Sequence, residues 1–167
     1  MNTTHGDCDA VKDTVKPSPE QRNSNRKTVK TIYKALRDGD TKKLSNQIGT
    51  ELEWWYHGPH HCQYMMEMLT GKSTLKAFKF QPRRMKAIGD CVIVEGLEEK
   101  GEYWVHLWRF KEGIVVQIRE YFNTLITLVV RDYEGGGGRE ARLWRSTSQA
   151  RVHGSLPDLV LAEILSI

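Results

Sequence analysis

The segment 103–122, YWVHLWRFKEGIVVQIREYF, holds two strand-like runs parted only by Lys111, Glu112 and Gly113. That spacing is the signature of a tight antiparallel hairpin, and both runs are apolar enough to be covered on at least one face. Side chains alternate across a strand, so parity sorts the hairpin into two faces. One face carries Trp104, His106, Trp108 and Phe110, then Ile114, Val116, Ile118, Glu120 and Phe122. The other carries Tyr103, Val105, Leu107 and Arg109, then Val115, Gln117, Arg119, Tyr121 and Asn123. The first face is the more aromatic and is predicted to pack beneath helices. With Phe110 opposite Ile114, Trp104 falls opposite Glu120 and His106 lies diagonal to it, ~7–8 Å away at the backbone.

His106 and Glu120 are the ionisable groups on that greasy face. A buried carboxylate needs a partner or a raised pKa. The pair is therefore either a satisfied structural contact or the working part of a pocket.

The rest of the chain supplies layers for this sheet. From Asn25, the residues Val29, Ile32, Tyr33 and Leu36 fall at helical spacing, with Ser24 or Asn25 as cap and Gly39 as stop. Asp40 or Thr41 caps a second short helix with Leu44 and Ile48 inward. Residues 51–57 alternate as a strand into Gly58-Pro59, and QYMMEMLTG reads as a short apolar helix stopped by Gly71. Strand-like runs follow within 75–88 and at CVIVEGLEE, ahead of the hairpin. This order is an α+β arrangement. Residues 1–24 read as a loose polar tail, 25–133 as the folded domain, and 134–167 as a glycine-rich linker and extension ending in a short docking helix at SLPDLVLAEILSI.

The stretch ELEWWYHGPHHC, 51–62, crowds three aromatics, three histidines and a cysteine together. His57, His60, His61 and Cys62 could supply half of a zinc site, but Cys91 and His106 are the distant candidates and neither belongs to a second ligand pair. No metal and no cofactor are expected. The better reading is a turn whose histidines sit at a pocket mouth. Leu52, Trp54 and Tyr56 share one strand face, and with Trp104, Trp108 and Phe122 they could line an aromatic cavity. Tryptophan stands on both faces of this strand, so one face is predicted to turn inward and the other to meet a second subunit or the chain's own tail.

Composition narrows the classes. The chain has 167 residues, 39% hydrophobic and 28% charged, which suits one globular domain. A net charge of +4 is mild, Arg83, Arg84 and Lys86 read as a solvated strand surface, and nucleic acid is not the expected partner. Three sparse cysteines argue for a reducing compartment. No apolar run approaches the ~20 residues that cross a bilayer, and no secretion signal opens the chain. Neither a P-loop, G-x-G-x-x-G, G-x-S-x-G nor H-E-x-x-H occurs. The expected location is the cytoplasm, with the nucleus within reach of a chain this small.

ELEWWYHGPHH, MMEMLTG, WVHLWRFKEGIVVQIREYFNT and the terminal LWRSTSQ…SLPDLVLA together resemble the plant wound-induced protein family, a SnoaL-like branch of the nuclear transport factor 2-like superfamily, over roughly residues 25–167. The resemblance implies a cone-shaped fold with three N-terminal helices on a curved antiparallel sheet, a pocket on the inner sheet face and a homodimer through the outer one. The superfamily includes polyketide cyclases and ketosteroid isomerases. By that likeness Glu120, seven residues after Gly113, holds the place of a cyclase aspartate, His106 that of an isomerase's protonated aspartate, and Tyr56 roughly that of the isomerase base. Tyr56 at an ordinary pKa near 10 is a poor base. The candidate catalytic set is thus His106, Glu120 and Tyr56. The candidate ligand-binding set is Trp54, Tyr56, Trp104, His106, Trp108, Ile118, Glu120 and Phe122. The favoured function is a stress- or senescence-associated protein binding a small apolar ligand. A cyclase- or isomerase-like enzyme and a dimeric interaction module are the alternatives.

Overall fold

In the computed structural model the described residues are 17–70, 72, 79–98, 101–131, 140–147 and 155–163. Residues 1–16 of the expected tail and 134–139 of the expected linker lie outside them.

Helix α1, Pro19–Asp38, starts at Pro19 and not at Asn25. Ser18 Oγ accepts from Gln21 N–H at 3.1 Å, proline occupies the first turn, and Gln21 Nε2 donates to Asn25 Oδ1 at 2.9 Å. Those first turns are polar and exposed, so apolar periodicity could not mark them. Farther on, Val29, Ile32, Tyr33 and Leu36 are buried as predicted, and Gly39 ends the helix at φ 68°. Helix α2, Thr41–Gln47, is capped by Asp40, whose Oδ1 accepts from Lys43 N–H at 3.1 Å. Ile48, assigned to that helix from sequence, instead opens strand β1, Ile48–His57. A 3₁₀ turn at His60–Cys62 leads into α3, Tyr64–Leu69, so the third helix follows a strand and does not precede the sheet.

Strands β2 (Arg84–Ile88), β3 (Cys91–Leu97), β4 (Tyr103–Lys111) and β5 (Ile114–Phe122) form an antiparallel meander. β1 then adds to β5 in parallel, giving the order β1-β5-β4-β3-β2. The sheet is mixed, where a purely antiparallel one was expected. β1 returns to its partner only after α3 and three strands, and such a long crossover permits a parallel pairing that a hairpin forbids.

The hairpin register also differs from the expectation. Glu112 and Gly113 both adopt left-handed φ, 52° and 79°, as a two-residue turn matched to strand twist requires. Lys111 therefore pairs with Ile114, Phe110 with Val115, and a bulge separates these from Arg109 and its partner Gln117. The bulge switches parity. Val115 is fully buried while Ile114 is 38% exposed, so the core residue is the one that parity placed outside. Beyond the bulge His106 stands directly opposite Glu120, and Trp104 opposite Phe122.

A second sheet was not legible in advance. β6 (Ile126–Arg131), β7 (Glu140–Arg145) and β8 (Leu159–Glu163) lie in the order β7-β6-β8, with β8 parallel to β6. The C-terminal docking helix is thus a strand, and LWR is part of another. Leu159 and Leu161 pack against the core while Val160 between them is 69% exposed, an alternation that suits a strand. This sheet covers the outer face of the first: Ile93, Tyr103, Val105, Leu107 and Tyr121 share one apolar cluster with Ile126, Leu128 and Trp144. The chain's own C-terminal strands therefore lie against the outer faces of β3, β4 and β5, while Trp55 on β1 stays 57% exposed.

Polar contacts fasten the two sheets. The buried Glu95 carboxylate accepts from the Tyr103 hydroxyl at 2.7 Å and Thr147 Oγ1 at 2.7 Å, and pairs with Arg84 at 3.4 Å. Arg84 also donates to Arg145 O at 2.6 Å and lies 3.8 Å from the Trp144 ring centroid, while Lys86 Nζ donates to Leu143 O at 3.1 Å. Arg84 and Lys86 thus fasten β7, while Arg83 and Lys86 are exposed as expected and Arg84 is partly buried.

Candidate functional site: a buried Tyr-His-Glu-Trp relay

The inner face of the five-stranded sheet packs against α1 and α3 in a single apolar cluster containing Val29, Ile32, Met65, Trp104, Trp108, Ile118 and Phe122. Through this cluster runs one polar chain. Trp108 Nε1–H donates to the Tyr33 oxygen at 3.1 Å, and that oxygen lies 2.6 Å from His106 Nδ1. His106 Nε2 lies 3.0 Å from Glu120 Oε1, and Trp54 Nε1–H donates to Glu120 Oε2 at 2.7 Å. The bulge makes this geometry possible, because only in the shifted register are the His106 and Glu120 side chains directly opposite.

Burial sets the direction of the relay. Desolvation pushes the Tyr33 hydroxyl well above the ordinary tyrosine range, partly offset by the Trp108 hydrogen bond and reinforced by the nearby Glu120 charge. Tyr33 thus keeps its proton, and with its oxygen already accepting from Trp108, its O–H is free to donate to His106 Nδ1. In a neutral imidazole this arrangement places the ring proton on Nε2, facing the carboxylate. In this arrangement no polar hydrogen of the relay is unused. Both imidazole nitrogens and both carboxylate oxygens are engaged by protein groups.

The sequence-predicted residues therefore come together closely. Trp104, Trp108 and Ile118 are fully buried, His106 is 1% exposed, and Glu120 and Phe122 are nearly so. Trp54 and Tyr56 are half-buried at the β1 edge. Tyr56 is in register with Glu120, yet its hydroxyl donates to Pro59 O at 2.6 Å, closing the turn after β1. Burial also raises its pKa, so Tyr56 holds its proton and cannot serve as a base at neutral pH.

Two residues were missed. Tyr33 is the hub of the relay, and its signal was a lone hydroxyl on the buried stripe of α1. Phe80 covers the site, its ring centroid 4.8 Å from His106 and 5.1 Å from Trp104. The run within 75–88 blurred it, and residues 73–78 lie outside the described ones. One polar atom on this face stays open: Trp104 Nε1 is buried with no hydrogen-bond partner among the described residues.

The histidine-rich turn builds no second centre. His57, His60 and His61 are exposed and Cys62 is buried, and the described residues contain no cluster of three His, Cys, Asp or Glu able to hold a metal. Cys62 and Cys91 are thiols outside any disulfide among the described residues. Among the described residues no helix is long and apolar enough to cross a membrane.

Comparison with known families agrees with this architecture. The family described as wound-induced protein WI12 matches residues 66–163. The chain belongs to the WI12 family. Its relatives include wound-induced protein 1 of Solanum tuberosum, 35% identical over 105 residues that cover 58% of this chain and 99% of that protein. The senescence associated gene 20 protein of Arabidopsis thaliana is 32% identical over 109 residues, covering 58% of this chain and 99% of that protein. Among solved structures, Bal32a from a soil-derived mobile gene cassette aligns with a TM-score of 0.51 at 23% identity, over 61% of this chain and 91% of that one. That likeness concerns the fold alone. This WI12 chain is thus an α+β protein, as the sequence resemblance implied, and the relatives it matches carry wound-induced and senescence-associated names.

Proposed function

We propose that this WI12 chain binds a small apolar ring compound carrying one acceptor oxygen and does not transform it. The observation that carries the proposal is the contrast between the satisfied relay and the open Trp104 Nε1–H. A buried donor without a partner costs about 1–3 kcal/mol, and a ligand oxygen would recover that. The surrounding rings of Phe80, Tyr33 and His106 offer the ligand an apolar, aromatic wall. Trp54 and Tyr56 are half-buried and pack against the same apolar cluster that contains Trp108, Ile118 and Phe122.

Turnover of the cyclase or isomerase kind requires a lone pair or proton aimed at the substrate. Here those of His106 and Glu120 are aimed at Tyr33, Trp54 and each other. The pair accordingly acts as scaffold, and binding is the favoured reading.

The test is thermal-shift titration with matched ring compounds, phenols and cyclic ketones against their hydrocarbon analogues. Mass spectrometry of the natively purified protein would search for a retained compound. Oxygenated rings should stabilise the protein more than their hydrocarbons, and the difference should vanish in Trp104→Phe. No stabilisation by any ring compound, with none retained, would overturn the proposal.

A homodimer is proposed as a second feature, on the surface that the C-terminal strands leave open. Trp55 on the outer side of β1 is 57% exposed, an unusual state for tryptophan in a lone subunit. Light scattering on the native chain should give twice the monomer mass, and Trp55→Glu should halve it. The cytoplasm is the proposed location, checked by imaging a tagged chain.

A further inference from the structure

We propose that the cleft between α1 and the start of β2 binds a small, multiply phosphorylated organic anion. Arg26, Lys30, Lys34 and Arg37 follow one another along one side of α1, and Arg83 and Arg84 face them from the start of β2. These residues line an open cleft of about 350 Å³, and no Asp or Glu is among the lining residues. Tyr33, Pro82 and Met85 complete the lining.

The ordinary way to carry exposed cations is to pair them, and this chain has nearly as many acids as bases, 21 against 25. Yet Arg26, Lys30, Lys34 and Arg83 make no ion pair among the described residues. Arg37 has only a loose partner, Asp38 at 3.8 Å, with both side chains at least half exposed. Arg84 is committed to Arg145 O and Glu95, so it adds field more than contact. Like charges held together across a concave wall repel one another, and a compact polyanion relieves that repulsion. Arginine forks suit phosphate oxygens, and the lysines add mobile point charges. The walls are a helix and a strand end, which makes the site a cup fitted to a small molecule. A nucleic-acid strand would need a longer basic track with exposed aromatics beside it. This inference rests on the cations around the cleft, none of which takes part in the proposed ring-compound site.

The test is isothermal titration of the full chain with inositol hexakisphosphate in ~0.15 M salt, where charges farther apart than ~8 Å are largely screened. Saturable one-to-one binding is expected. Lys30→Glu with Lys34→Glu should weaken it by about tenfold per reversed lysine, each such loss being a factor of ten per lost contact of ~1.4 kcal/mol. Lys27→Glu with Lys42→Glu, which removes the same charge away from the cleft, should weaken it far less. Circular dichroism of both double variants verifies that they are folded. The proposal fails if no saturable binding appears or if both double variants lose affinity equally. It fails equally if a single-stranded oligonucleotide binds more tightly in proportion to its length, or if only vesicles bearing phosphoinositide headgroups bind while the soluble compound does not.

Discussion

The Tyr33 oxygen and His106 Nδ1 lie 2.6 Å apart, joining a helix to the middle of the sheet across 73 residues of sequence. The same oxygen accepts from Trp108 Nε1–H, so one hydroxyl satisfies two buried groups. Tyr33→Phe would leave both without a partner. We expect a loss of about 1–3 kcal/mol in urea unfolding, with the fold retained. A variant as stable as the parent would show that the relay contributes nothing.

Glu120 receives the far end of that relay. Glu120→Ala would strip the partner from His106 Nε2–H and from the Trp54 indole. Leaving a buried donor unsatisfied costs about 1–3 kcal/mol, and here two are left. Glu120→Gln keeps one carbonyl acceptor and should cost clearly less. Chemical denaturation of the two variants side by side measures the difference, and equal losses would mean that packing matters and the hydrogen bonds do not.

Gly96 lies where β3 passes beneath Trp104. A Cβ there would overlap the Trp104 indole and stand 2.7 Å from Gln81 O. Neither neighbour yields easily, since the indole is fully buried and the oxygen is backbone. Gly96→Ala is expected to cost about 1–3 kcal/mol and to change the near-ultraviolet dichroism of the tryptophans. Unchanged spectra and stability would refute so close an approach.

Several tyrosines tie stability to alkaline pH. Burial raises the pKa of Tyr33, Tyr56 and Tyr103, and raises Tyr64 to about 12. A raised folded-state pKa favours the protonated, folded protein below the unfolded pKa near 10, and that advantage declines as pH climbs toward the folded value. Stability should therefore be flat with respect to these groups below pH ~9 and fall above pH ~10. Ultraviolet titration of tyrosinate should show these four ionising late, together with unfolding. Independent ionisation near pH 10 in the folded chain would contradict their burial.

Glu95 couples the two sheets through Tyr103, Thr147 and Arg84. Glu95→Ala leaves the Tyr103 hydroxyl with Ser146 Oγ alone, at 2.5 Å. Hydrogen exchange should then speed up in β6, β7 and β8 before it does in β4 and β5. Uniform acceleration would mean that the two sheets open as one unit.

Much of this molecule was legible from local pattern. The buried stripe of α1, a cap at Asp40 or Thr41, the hairpin strands and the isolation of His106 and Glu120 among aromatics all follow from periodicity and side-chain chemistry. The WI12 family was legible too, in short motifs spread from β1 to β8. The register was not. A one-residue choice between a Lys-Glu-Gly loop and a Glu-Gly turn left His106 diagonal to Glu120 in the sequence reading, and the bulge set them face to face.

The C-terminal strands show the same boundary more sharply. SLPDLVLAE has leucines that fit a helix stripe or a strand face, and its local preferences do not separate the two. β6 decided it by offering an unpaired edge whose backbone groups β8 satisfies in parallel register from Ile126–Leu159 to Val130–Glu163. Sequence alone determined which residues are apolar, which are capped and which carry chemistry, because those properties belong to one residue or one turn of chain. Tertiary structure decided strand partners, the bulge and Tyr33 as hub, because these depend on hydrogen bonds and burial supplied by segments far away along the chain.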